Sequence, residues 1–234
     1  MKEKLIFICF FYFELLNPLK NAYDKIFPED FHSAMVFLKK NEQNFSLIAK
    51  KFNQDKELLK AIVSPEIMRY SVVQDLLETS ALEILYCKYG STAADFSVGK
   101  FQMKPSFVES LEFEIKKDKD LHNQYRFLLL PEKNTEKQNR ELRVSRLKNS
   151  IWELNYLSAF VSVCEQKFKE QAFQSKEEKV IFFSTAYNAG FYHSAEKIIE
   201  KSAHKLYPYG CNYKGPQYPY SDVALFFYRY HYKK

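Results

Sequence analysis

Apolar residues recur along most of this chain at intervals of three and four, the spacing that gathers them on one face of an α-helix. Phe31, Met35, Val36 and Leu38 predict one short helix, and Phe45, Ile48, Ala49 and Phe52 a second. A third starts near Lys56 and carries Leu58, Leu59, Ile62 and Val63 before it meets Pro65. Proline disfavours helical geometry in the preceding residue and has no amide hydrogen, so Glu66 is expected at a helix end or kink. Val72, Val73, Leu76, Leu77, Ala81, Ile84 and Leu85 predict a long helix that closes at Gly90, a C-terminal cap. The segment STAADFSVGKFQMKPSF follows as a loop, in which Asp95 is a loop or helix-cap residue. Residues 105–130 read as helical, Pro131–Glu141 as a polar connection or helix start, and 142–171 as one long helix around Ile151, Leu154, Leu157, Phe160 and Val161. A helix ending in AYNAG, another from about His193 and an aromatic C-terminal segment complete the pattern. Only 5 Gly and 8 Pro interrupt it, which argues for a mainly α fold over a sandwich or barrel.

Composition adds bounds. With 234 residues and 46% hydrophobic content the chain can bury a large core, and one domain over 23–234, with a helical N-terminal extension, is expected. Its 17 Tyr and 22 Phe belong mainly to that core, with a share available to stack on sugar rings. The net charge of +6 is scattered among acidic neighbours, as in KKDKD and SKEEK, and no concentrated basic helix points to nucleic acid. Cys9, Cys87, Cys164 and Cys211 lie far apart without a CxxC, so at most one disulfide is expected and free thiols are favoured. His32, His122, His193, His204 and His231 show neither metal-ligand spacing nor a nucleophile partner; no metal and no cofactor are expected.

At the N-terminus Lys2 and Lys4 precede LIFICFFYF, an apolar run too short to span a bilayer. Residues 1–22 therefore read as a signal peptide and the chain as exported to the periplasm or cell envelope, without a stable membrane span. The alternative is a buried N-terminal helix.

The stretch AIVSPEIMRYS places Glu66 at the end of an apolar run, where desolvation disfavours the ionised carboxyl and raises its pKa. Such a group is suited to give up a proton near neutral pH. Two other short stretches stand out: SVGKFQMKP from Ser97 and FFSTAYNAG from Phe182. Taken in order, LLKAIVSPE, SVGKFQMKP and FFSTAYNAG resemble the soluble lytic transglycosylases of the lysozyme superfamily. That catalytic domain carries a helix ending in Glu, a Gly-x-Met-Gln-x-x-Pro loop and an Ala-Tyr-Asn-Ala-Gly helix end. The likeness spans roughly Glu57 to Gly190. AYNAG matches at all five positions, Ala186 to Gly190; Gly99, Gln102 and Pro105 match in the loop, where Phe101 replaces the usual Met. Ile67 and Met68 stand where the family has Ser-Gly.

The resemblance implies a lysozyme-like helical domain with a catalytic cleft, acting on peptidoglycan glycan strands. Glu66 is then the acid that protonates the glycosidic oxygen between N-acetylmuramic acid and N-acetylglucosamine. The same carboxylate next accepts the proton of the 6-hydroxyl, which closes a 1,6-anhydro ring. Gln102, Met103, Tyr187, Asn188 and Gly99 are expected around the sugar, together with Arg69 and Tyr70 beside the acid. Glu66 lies 36 residues before Gln102, a longer interval than in the family, whereas Glu83 lies 19 before it and Glu78 opens an ETS. Both remain rival acids. A non-catalytic wall-binding module and a lysozyme-type hydrolase are the alternative functions.

Overall fold

The computed structural model describes residues 22–70 and 76–232, without the side chains of 76–79, 231 and 232. The predicted leader up to residue 21, with Cys9, lies outside the described residues, as do Val72, Val73 and the side chain of Glu78.

The fold is mainly helical. In chain order it comprises α1 (Tyr23–Ile26), α2 (Pro28–Lys40), α3 (Glu42–Phe52), α4 (Lys56–Tyr70), α5 (Leu76–Tyr89), α6 (Pro105–Lys117), α7 (Lys119–Tyr125), a 3₁₀ turn (Arg126–Leu128), α8 (Glu136–Leu147), α9 (Ser150–Lys167), α10 (Lys176–Ala189), α11 (Ala195–Lys201), β1 (Lys205–Tyr207), β2 (Tyr218–Pro219) and α12 (Tyr220–Tyr232). The two strands pair antiparallel. Among the described residues, no helix is long and apolar enough to cross a membrane.

Local chemistry explains several helix ends. Thr135 and Gln138 form a reciprocal capping box at the start of α8, and Ser175 and Ser194 accept from backbone amides at the starts of α10 and α11. Asp95 accepts from the Ser106 amide and hydroxyl and so holds the first turn of α6. Gly90 closes α5 at φ +88°, its amide donating to Tyr86 O at 2.7 Å.

Three expectations need correction. The helix over 142–171 is two helices, because the Asn149 carboxamide accepts from the amides of Ile151 and Trp152 and starts a new one. Ile151, Ile84 and Leu85 are exposed rather than core. Pro65 does not end its helix: α4 continues to Tyr70, so Glu66 sits within it. Side-chain hydroxyls also bond carbonyls along this stretch. Ser64 Oγ donates to Lys60 O at 2.7 Å, and the Tyr220 hydroxyl donates to Ile62 O at 2.9 Å.

Helices α4, α9 and α10 form the centre of the molecule. Leu58 to Met68 of α4 is buried on every face, which admits Lys60 only because Glu42 and Glu57 pair with it at 2.6 and 3.2 Å. Helix α12 packs along α4 and α10, and its Phe226 and Phe227 meet Tyr23 and Phe31 from the other end of the chain. Cys87, Cys164 and Cys211 are free thiols; Cys164 is buried and Cys211 exposed.

Candidate active site

A cleft of about 290 Å³ opens where α4, the end of α10, the end of α11 and the β1–β2 hairpin converge. Glu66 and Arg69 line one side and Asn188 another, with Tyr207, Pro208 and Tyr220 between them. One turn of α4 separates Glu66 from Arg69, so the two side chains share a face, and Arg69 Nη2 donates to Glu66 Oε2 at 2.8 Å. Arg69 also donates to Pro208 O at 3.3 Å, which ties the hairpin to the helix.

Glu66 is only 6% exposed. Burial pushes its carboxyl above the usual range, and the nearby guanidinium opposes this without reversing it. Two tyrosines from the C-terminal segment frame the acid. Tyr207 donates to Pro65 O at 3.1 Å and Tyr220 to Ile62 O, so both hydroxyls are committed to α4 backbone around the carboxyl. Burial, and then the Glu66 carboxylate, raise both phenols well above their ordinary value.

The Gly99 loop abuts this site. Val98 and Met103 exchange both backbone hydrogen bonds, at 3.0 and 3.1 Å, closing a tight hairpin whose tip is Gly99 to Gln102. Gly99 adopts φ +72°, and a Cβ there would lie 2.1 Å from Leu147 O and 2.3 Å from Glu153 Oε1. Only glycine fits. The loop is held on two sides: Tyr187 donates to Phe101 O at 2.7 Å, and the Glu153 carboxyl accepts from the amides of Phe101 at 2.8 Å and Lys100 at 3.2 Å. Its outer surface meets the acid's helix where Lys100 Nζ stands 3.5 Å from the Tyr70 ring centroid.

The three sequence stretches thus come together, with distinct placements. Glu66, Arg69 and Asn188 line the cleft; Tyr70, Gly99 and Gln102 lie on the adjoining loop contact, outside the cleft lining. Gln102, at φ +51°, spends its side-chain amide on Gly99 O at 2.8 Å. Met103 and Tyr187, expected around the sugar, lie in the interior: the former is 2% exposed in the core, and the latter is buried with its hydroxyl used on the loop. Tyr187 nevertheless lies within the electrostatic reach of both Glu66 and Glu153, which add to burial in raising its phenol. The rival Glu83 pairs with Lys148 at 2.7 Å and does not line the cleft.

Sequence reasoning missed Glu153, Tyr207 and Tyr220. Glu153 had a signal, a carboxylate inside the apolar run IWELNYLSAFV. It is 1% exposed, and burial pushes its pKa up to about 8 against the opposing effect of the two loop amides and Lys100. The tyrosines had none, being two among 17. Among the described residues, no group of three or more His, Cys, Asp or Glu could hold a metal ion.

No family model matches the chain, and neither a curated protein nor a solved structure does.

Proposed function

We propose that this chain is a peptidoglycan lytic transglycosylase, with Glu66 as its acid and then its base. The observation that carries the reading is a buried carboxyl, held partly against ionisation, in the wall of a cleft of mixed polar and apolar lining. A carboxylic acid in that state can pass its proton to the glycosidic oxygen of a bound strand as the C1–O bond breaks and the muramyl sugar gains oxocarbenium character. The carboxylate left behind takes the proton of the sugar's 6-hydroxyl. O6 then bonds to C1, so one leaving alcohol and one 1,6-anhydro end are formed and no water is consumed.

Three features support this reading, the first of them against a two-carboxylate hydrolase. Among the described residues, Glu66 is the lone acidic residue in the cleft lining, whereas a hydrolase of that kind uses a second carboxyl at a defined separation. Asn188 offers both a donor and an acceptor to an N-acetyl group or hydroxyl. Arg69 stabilises the transient carboxylate between the two proton transfers. Because peptidoglycan lies outside the cytoplasmic membrane, the reading goes with export of the chain by its N-terminal leader.

The Glu66–Arg69 ion pair also favours a second reading. A carboxylate kept paired is a poorer acid, and the cleft then serves to bind wall strands without cutting them. Mass spectrometry of material released from purified sacculi separates the two. Anhydro-muropeptides from the wild type, and none from Glu66→Gln, support the enzyme; binding to sacculi with no release supports the binding module.

A further inference from the structure

We infer that Glu153 is a positioning residue for the proposed reaction, whose carboxyl clamps the Gly99–Gln102 loop in register against the end of the acid's helix; this rests on the transglycosylase reading. The geometry is that of a built anchor. A four-residue turn joins Val98 to Met103, and its two central amides, those of Lys100 and Phe101, face the interior. Without an acceptor there they would be buried donors with no partner, a costly state. Glu153 meets both, one oxygen to each amide, from the first turn of α9.

The rest of the loop makes sense around that contact. Gly99 is required because any Cβ would strike Glu153 Oε1 and Leu147 O. The Phe101 carbonyl points the other way and takes the Tyr187 hydroxyl, while the Phe101 ring enters the core against Phe37 and Phe45. Alternate groups of one short loop are therefore fixed by α9 and α10. What this precision leaves outside is Lys100 over Tyr70, one residue beyond Arg69, and Gln102 with its backbone held at positive φ. A loop that only closed the core would not need its outward face fixed to the helix carrying the acid. Lys100 is the charged group acting on Glu153, and Tyr187 is the titratable neighbour that feels it.

The test compares Glu153→Gln with Glu153→Leu, two side chains of similar size of which only Gln retains an acceptor oxygen. Amide hydrogen exchange at Lys100 and Phe101 is read beside kcat and KM on sacculi, well below each variant's melting temperature. The clamp predicts slow exchange of both amides in the wild type. It also predicts faster exchange of both amides and a loss of kcat/KM of about tenfold or more in the Leu variant, whereas Gln, with one acceptor oxygen, keeps one of the two amides slow and restores part of kcat/KM. Gln and Leu behaving alike in both readouts would overturn the inference, leaving Glu153 a space-filling residue. Rapid exchange of the two amides in the wild type would overturn it without any variant, even where Glu153→Leu does not fold. An active wild type with both variants at full kcat/KM removes the role of Glu153 alone; an inert wild type removes the transglycosylase reading and this role with it.

Discussion

Replacing Glu66 by Gln separates what the carboxyl does for chemistry from what it does for the fold. The amide keeps the shape and one acceptor oxygen, so Arg69 Nη2 retains a partner at the position now 2.8 Å away, while the proton to be donated is gone. General acid–base catalysis contributes roughly 10²–10⁴-fold. In the proposed reaction one group serves both proton transfers, so turnover on sacculi is expected to fall by at least about 10³-fold, equivalent to about 4 kcal/mol of transition-state stabilisation. The effect on stability is small. Arg69 keeps its bond to Pro208 O and an acceptor oxygen at position 66, so what is lost is the charge assistance of one hydrogen bond, about 1 kcal/mol.

An opposing contribution comes from the proton. The folded-state pKa of Glu66 is raised, so the favourable effect of protonation is complete below the ordinary carboxyl range and is lost as pH rises through the raised value. Wild-type stability accordingly declines on going from acid to neutral pH relative to Glu66→Gln, which carries a permanently neutral side chain. For a chain of this length about 1 kcal/mol corresponds to roughly 2–4 °C in Tm. Calorimetry at pH 5 and pH 8, beside anhydro-muropeptide release, checks both halves. Full turnover by Glu66→Gln refutes the assignment of the acid. A Tm lowered by roughly 10 °C or more refutes the division, because lost activity would then report a damaged fold.

Gly99→Ala forces a Cβ onto Leu147 O at positive φ and should cost about 3 kcal/mol or more in urea unfolding. Tyr187→Phe leaves Phe101 O without its donor and should cost about 1–3 kcal/mol by the same measurement, with glycan affinity falling alongside. Glu153, pushed up to about 8, makes the fold lose stability as pH climbs from the ordinary carboxyl range through 8, by about 1.4 kcal/mol for each pH step of one across that window, and Glu153→Gln should flatten that part of the pH–stability curve. Glu83→Gln should leave turnover unchanged, since its partner is Lys148 and it stands off the cleft.

How much of this was legible in the sequence depended on whether the deciding contact was local. Helix periodicity, the Gly90 cap and the Asp95 contact with Ser106 are set within about a dozen residues, and the pattern carries them. Of the two outcomes expected at Pro65, a helix end or a kink, the end is not what is found: α4 runs on to Tyr70 with Glu66 inside it, and Tyr220 and Tyr207, from far along the chain, bond Ile62 O and Pro65 O in this stretch. The division at Asn149 was local and readable, a carboxamide ahead of an apolar run, but the apolar spacing on either side masked it.

The site divides along the same line. Glu66 was found because a carboxylate in an apolar context is conspicuous, and by that criterion Glu153 was equally available. What set them apart was the motif, which named one and was silent on the other. The structure shows why both are tolerated. Each buried carboxyl has a donor set assembled from a different part of the fold, Arg69 for Glu66 and two loop amides for Glu153. Tyr187 is the group that both act on: its hydroxyl holds the loop that Glu153 holds, and both carboxyls add to burial in raising its phenol. The AYNAG stretch is then less a set of sugar contacts than a junction: Tyr187 braces the loop from inside while Asn188, the next residue on the helix, turns outward to the cleft.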